Sequence, residues 1–182
     1  MSEDISPHKR RTVIKSFRLS EELVSALEAQ AKEEGTTING LCSTVLTRHV
    51  EWGALSKVLG MVSFSSGTAM ALLESADPKT LAAASRRLMP EKWKGMVMFK
   101  NHELTIDGFL DLFKLITKYG YSADLDVQKN GREYRATFRH HLGPKFSLIL
   151  HNAIDELLRT TFHVVPTFEV SDETLAVTFS EQ

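Results

Sequence analysis

The stretch VIKSFRLSEELVSALEAQAKEEGTTINGLCSTVLTRHVEW, residues 13–52, changes its apolar period from two to that of a helix within a few residues. In its first part Phe17 and Leu19 fall on one side of an extended chain, and Ile14, Ser16 and Arg18 on the other. Ser20 then offers a helix N-cap, and Glu21 and Glu22 complement the positive end of the helix dipole. Leu23, Ala26, Leu27 and Ala31 recur at helical spacing up to Gly35, which predicts a first helix over about residues 21–34. Thr37 is the expected cap of a second helix, whose apolar positions Ile38, Leu41, Cys42, Val45, Leu46, His49 and Val50 make a stripe too wide for one neighbouring helix to cover. A single short strand would leave its amides and carbonyls unpaired. A second copy of the segment would supply both a strand and a helix face, so the expectation is a two-fold dimer with Phe17, Leu19, Leu41, Val45 and Leu46 in a shared core.

In order and spacing, KSFRLSEEL followed by EEGTTINGLCSTVL resembles the ribbon-helix-helix DNA-binding family, the group of the Arc, methionine and CopG-type repressors. The resemblance covers about residues 11–52. It implies a two-stranded ribbon in the major groove of double-stranded DNA, with Ile14, Ser16 and Arg18 facing base edges. Arg18 suits a bidentate contact to guanine, whereas Ile14 departs from the polar residue expected there. The resemblance also implies phosphate contacts by the N-terminus of the second helix, at Thr37, Ile38 and Asn39. Lys9, Arg10, Arg11, Lys15 and Arg18 follow His8 with no acidic residue among them, although the whole chain has a formal net charge of −1. A basic arm at residues 1–10, together with Arg11 and Lys15, would therefore add phosphate contacts.

The rest of the chain predicts an α+β domain over residues 61–182, joined through a link or helix extension at 54–60 to a DNA-binding domain at 11–53. MVSF reads as a short strand, GTAMALLES as a helix, and DPKTLAAASRRL as a helix capped by Asp77 with Pro78 at its first position. Residues 96–99 form a short apolar run, TIDGFLDLFKLITKYG an amphipathic helix, and KFSLILHNAIDELLRTTF another. DLDVQKNGREYRATF reads as a hairpin turning at Asn130-Gly131, with Val127 opposite Tyr134. TFEV and LAVTF close a mixed sheet.

For chemistry the sequence offers little. One cysteine, Cys42, excludes an intrachain disulfide and a cysteine-rich zinc site. His140 with His141 sits on opposite strand faces, and His151 with Asp155 lies one helical turn apart, so His140, His151 and Asp155 are weak metal candidates. No phosphate loop, nucleophile elbow or paired carboxylate motif appears, so neither enzyme activity nor a cofactor is expected. Arg86 with Arg87, or Arg139 with His140 and His141, suits an anionic small-molecule effector.

No apolar run approaches the ~18 residues of a membrane span, and the polar start lacks a secretory signal, so the cytoplasm, at the nucleoid, is the expected location. Together these features point to a homodimeric, sequence-specific transcriptional regulator whose second domain oligomerises, to tetramers or beyond, or senses a ligand. An architectural DNA-binding protein of low specificity and an antitoxin-type, protein-binding regulator are the alternatives.

Overall fold

Ser20 begins the regular structure: its hydroxyl accepts from the Leu23 amide at 3.3 Å and its carbonyl from the Val24 amide at 3.1 Å, which starts α1, Glu21–Glu33. The structure, a computed structural model, describes residues 12–58, 60–120 and 122–181. It divides into two compact units, Met1–Thr47 and Arg48–Gln182.

In the first unit α1 is followed, after Gly35, by α2, Ile38–Arg48. Thr37 caps α2 through its hydroxyl, which accepts from the Gly40 amide at 3.1 Å. Residues 12–19 are exposed and carry no regular structure. This overturns the ribbon-helix-helix resemblance at the element that defines it: among the described residues no strand precedes Ala123, and all four strands lie between residues 123 and 180. Alternation over eight residues favours an extended backbone, but a strand also needs a neighbour whose carbonyls and amides complete the ladder. Residues 12–19 have none. The fold class is corrected accordingly to α+β, with a helical first unit and a sheet confined to the second.

The second unit opens with a π-helical turn, His49–Gly53, and α3, Ala54–Val58. The MVSF segment is not a strand either; residues 61–65 carry no regular structure and lead into α4, Ser66–Ser75, capped by Ser65. Lys145 holds the far end of α4, donating at 2.7 Å to the carbonyls of both Glu74 and Ala76. Asp77 caps α5, Pro78–Asn101, accepting from the Thr80 amide at 2.8 Å. This helix runs through Pro90, which removes one interior hydrogen bond, and so takes in the apolar run at 96–99. It ends at His102, whose left-handed φ of 62° turns the chain toward α6, Ile106–Gly120.

The sheet is wholly antiparallel in the order β1-β2-β4-β3: β1 Ala123–Asn130, β2 Glu133–His140, β3 Thr167–Val170 and β4 Thr174–Ser180. The β1–β2 turn lies one residue later than the sequence suggests. Gly131, with φ of +60°, takes the first central position, so Asn130 pairs with Glu133 and Val127 with Ala136 rather than Tyr134. Glycine first in the turn is the signature of type II′, whereas Asn-Gly pointed to type I′. The shift preserves which side chains share a face.

One face is apolar and covered. Tyr134, Ala136, Phe138, Leu175, Val177 and Phe179 are all buried there, beneath α6 and α7, Pro144–Thr161. Edge-to-face rings link the layers: Trp93 of α5 meets Phe113 of α6 at 4.8 Å, and Phe113 meets Phe138 of β2 at 5.6 Å. Gly108 lets this layer close, since a Cβ there would stand 2.7 Å from the Asn101 amide nitrogen and 3.1 Å from a Val97 methyl. The void inside this core is about 20 Å³, too small for an organic ligand. The opposite face carries Arg135, Thr137, Thr178 and Glu169, with Arg135 forked onto Glu169 at 2.8 and 3.0 Å.

Candidate functional site

The first unit buries little. Among its described residues only Ala31 and Leu41 are buried, and of the five residues expected in a dimer core Leu41 alone is covered within the chain. Phe17 is 70% exposed, Leu46 53%, Val45 52% and Leu19 49%. Leu23 joins them as a further exposed apolar side chain that the dimer reading did not single out.

Ile14, Ser16 and Arg18 lie exposed, with Lys15, in the segment without regular structure that precedes α1. Lys9, Arg10 and Arg11 fall outside the described residues. Thr37, Ile38 and Asn39 do come together at the start of α2, but the Thr37 hydroxyl is already engaged as a cap, and Ile38 is partly covered.

In the second unit the three weak metal candidates do not converge. His140 is buried at the end of β2, where its Nε2 lies 2.8 Å from the Ser147 hydroxyl and its Nδ1 3.4 Å from the Leu142 amide. Ser147 donates its proton to the Ser171 carbonyl at 2.7 Å, so it accepts from His140 Nε2–H, and Nδ1 accepts from the Leu142 amide. Every proton in this chain of bonds is assigned, which makes a neutral, orienting histidine and leaves Ser147 no free base to activate it. Burial pushes the His140 imidazole below its usual pKa, which agrees with the neutral form. His151 packs edge-on to Phe168 at 4.4 Å, and Asp155 accepts from Arg159 Nε at 2.7 Å. No group of three metal-ligating side chains occurs among the described residues.

What the sequence did not reveal is a surface cleft beside α6. One hollow of about 690 Å³ is lined by Lys114 and Lys118 of α6, by Asp124 of β1, and by Arg139 and His141 at the end of β2. A second, of about 600 Å³, is lined by Arg48, Trp52, Phe64 and Tyr119. The two share Ser66, Ser122 and Leu142 as a common wall. Beside them the Tyr119 hydroxyl donates to Glu51 at 2.7 Å, and Lys118 donates to the same carboxylate oxygen at 3.0 Å. The Tyr119 bond first, and then Lys118, keep the Glu51 carboxyl below its ordinary pKa. Arg139 and His141 carry a signal in the sequence as the ends of the run Arg139-His140-His141. Lys114 and Lys118 are visible there only as a one-turn pair on the polar side of a helix. Arg87, the other anion candidate, lines a shallow hollow with Lys79 and Thr80.

No family model matches the chain, and a search of curated proteins finds no match. Among the described residues no helix is long and apolar enough to cross a membrane.

Proposed function

We propose that this chain is a DNA-binding regulator that works as a homodimer, its first unit completed by a second copy and supplying the DNA contacts. The observation that carries the reading is the pairing, in one short unit, of uncovered apolar side chains with a run of uncompensated positive charge. Phe17, Leu19, Leu23, Val45 and Leu46 are each at least 46% exposed in a unit that ends at Thr47. A unit so small hides too little apolar surface to offset its own ordering entropy, and association of identical faces is the most economical remedy. In sequence, the basic run from Lys9 to Arg18 that leads into this unit's helices contains no carboxylate, in a chain that is otherwise slightly acidic. Phosphate contacts by such a run supply affinity, and Arg18 and Ser16 supply side chains able to read a base edge. The second unit, with its own closed core, serves regulation or further assembly.

Full-length protein titrated onto a fluorescent random-sequence duplex tests the DNA reading. Affinity should fall steeply as salt rises, with several counterions released. Selection from a random duplex library then separates a sequence-specific regulator from an architectural protein: specific sites should bind at least about a thousandfold tighter than random DNA. No binding at about 10 µM protein in low salt, where nonspecific DNA affinities fall within reach, refutes the proposal.

A further inference from the structure

We propose that the cleft beside α6 binds a phosphate-bearing small molecule of the mononucleotide class, its phosphates at the cationic end and its base at the aromatic end. This inference concerns the second unit alone and does not depend on the DNA-binding reading. Its basis is a cluster of basic side chains around one concave surface. The first hollow presents three permanent cations, Lys114, Lys118 and Arg139. Lys114 meets Asp111 at 3.2 Å and Lys118 meets Glu51 at 3.0 Å, whereas Arg139, paired across the strands with Asp124 in register, makes no ion pair with any described residue. An unpaired guanidinium at the rim of a concave surface is suited to fork onto phosphate oxygens. Ser122 and Ser66 add hydroxyl groups along the same walls.

The second hollow has a different character. Trp52 and Tyr119 form its buried wall, with ring centroids 6.1 Å apart, and Phe64 stands 59% exposed on the segment that precedes α4. An aromatic side chain left in water at the mouth of a cleft gains apolar burial when a planar group covers it. Lys114 and Arg139 thus lie in one hollow and the rings in the other, with Lys118 and Arg48 over the Tyr119 ring between them, an order that matches a ligand anionic at one end and aromatic at the other. Each hollow is within the size of small-molecule sites, which run to roughly 300–1,000 Å³, while the interior void of about 20 Å³ leaves the core no competing site.

Calorimetric titration of the full chain with ATP, inorganic pyrophosphate and adenosine decides the matter. ATP should saturate one site per chain, and pyrophosphate and adenosine should each bind at least about tenfold more weakly, since each keeps only one of the two recognised ends. Arg139→Ala and Lys114→Ala, both at exposed positions, should weaken ATP at least about tenfold. Phe64→Ala should weaken ATP but leave pyrophosphate unchanged, and Arg87→Ala should change neither. The proposal is overturned if ATP shows no saturable binding up to about 5 mM, a limit already weaker than typical specific recognition. It is equally overturned if ATP binding survives Arg139→Ala and Lys114→Ala intact, or if those changes abolish DNA binding while sparing ATP. Equal affinity for ATP and pyrophosphate, indifferent to Phe64→Ala, would remove the nucleotide class.

Discussion

Leu46→Ala is the substitution that most directly probes association of the first unit. Leu46 is 53% exposed in the single chain, so roughly half of its side chain is still available for burial by a partner. Full burial of a leucine is worth ~1.5–3 kcal/mol, and the remaining half therefore contributes about 1 kcal/mol per copy when it is covered. A two-fold interface counts every substitution twice, which brings the loss to about 2 kcal/mol and the dissociation constant up by roughly thirtyfold. The loss stays below the usual cost of a fully buried leucine because half of the side chain is already covered in the free chain. Sedimentation equilibrium of the full-length protein and of the variant, over a range of concentrations, reads this directly. Circular dichroism at the α-helical band, followed over the same concentrations, should show helix content falling with dissociation in both proteins and at higher concentration in the variant. A wild-type chain that remains monomeric at about 100 µM, or a variant whose dissociation constant moves by less than threefold, would refute the reasoning; either result means that these faces are not covered by a second copy.

Leu112→Ala, at a side chain with no exposure, should cost about 2–5 kcal/mol in urea unfolding of the second unit, and a smaller loss would mean that the α6 layer can collapse into the space. Gly108→Ala should cost about 1–3 kcal/mol, because the new methyl has to displace the side chains of Asn101 and Thr105 and press on Val97. For His140 the folded pKa lies below the unfolded one, so the folded state binds fewer protons than the unfolded state as pH falls; its stability is complete above the unfolded value and is lost on acidification toward the lowered one. Chemical denaturation below about pH 6.5 should therefore show a loss of up to ~1.4 kcal/mol per pH unit from this group, absent in His140→Gln. Neutralising Lys9, Arg10 and Arg11 together should flatten the dependence of DNA affinity on salt by about two to three counterions and lower affinity on every sequence alike, as fluorescence anisotropy would report.

Local chemistry was the legible part of this chain. Ser20, Thr37 and Asp77 act as caps because a side-chain oxygen and the amides it serves lie within one turn, and nothing distant decides the outcome. The same locality set which residues of the β1–β2 hairpin share a face, since a turn shifted by one residue moves the pairing by two and preserves parity. The strand expected at about residues 14–19 was misjudged for the converse reason. Pairing is a property of two segments, and a period of two in one of them says nothing about where the other is. The run at 96–99 reads in sequence as a short apolar stretch of its own, yet α5 continues through Pro90 to Asn101 with Trp93, Met96 and Val97 buried. The cleft was illegible as a unit: Trp52, Lys114 and Arg139 come from segments far apart in sequence, and only the packing of α6 against the sheet and the π-helical turn brings them to one surface.

The uneven burial of the two units also limits how regulation could operate. In the second unit Leu112, Ala153 and Leu175 have no exposure at all, so its core closes within one chain. The first unit has only Ala31 and Leu41 buried among its described residues, so its order and its association should rise and fall together. A ligand in the cleft beside α6 therefore changes DNA affinity only to the extent that it binds the associated and dissociated forms differently. Equal affinity for the two forms would leave DNA binding untouched however tightly the ligand bound. If the coupling exists, it is reciprocal: DNA that stabilises the dimer must tighten or loosen the ligand by the same factor. That symmetry ties the two proposals to each other through a single free energy, although each stands or falls on its own binding measurement.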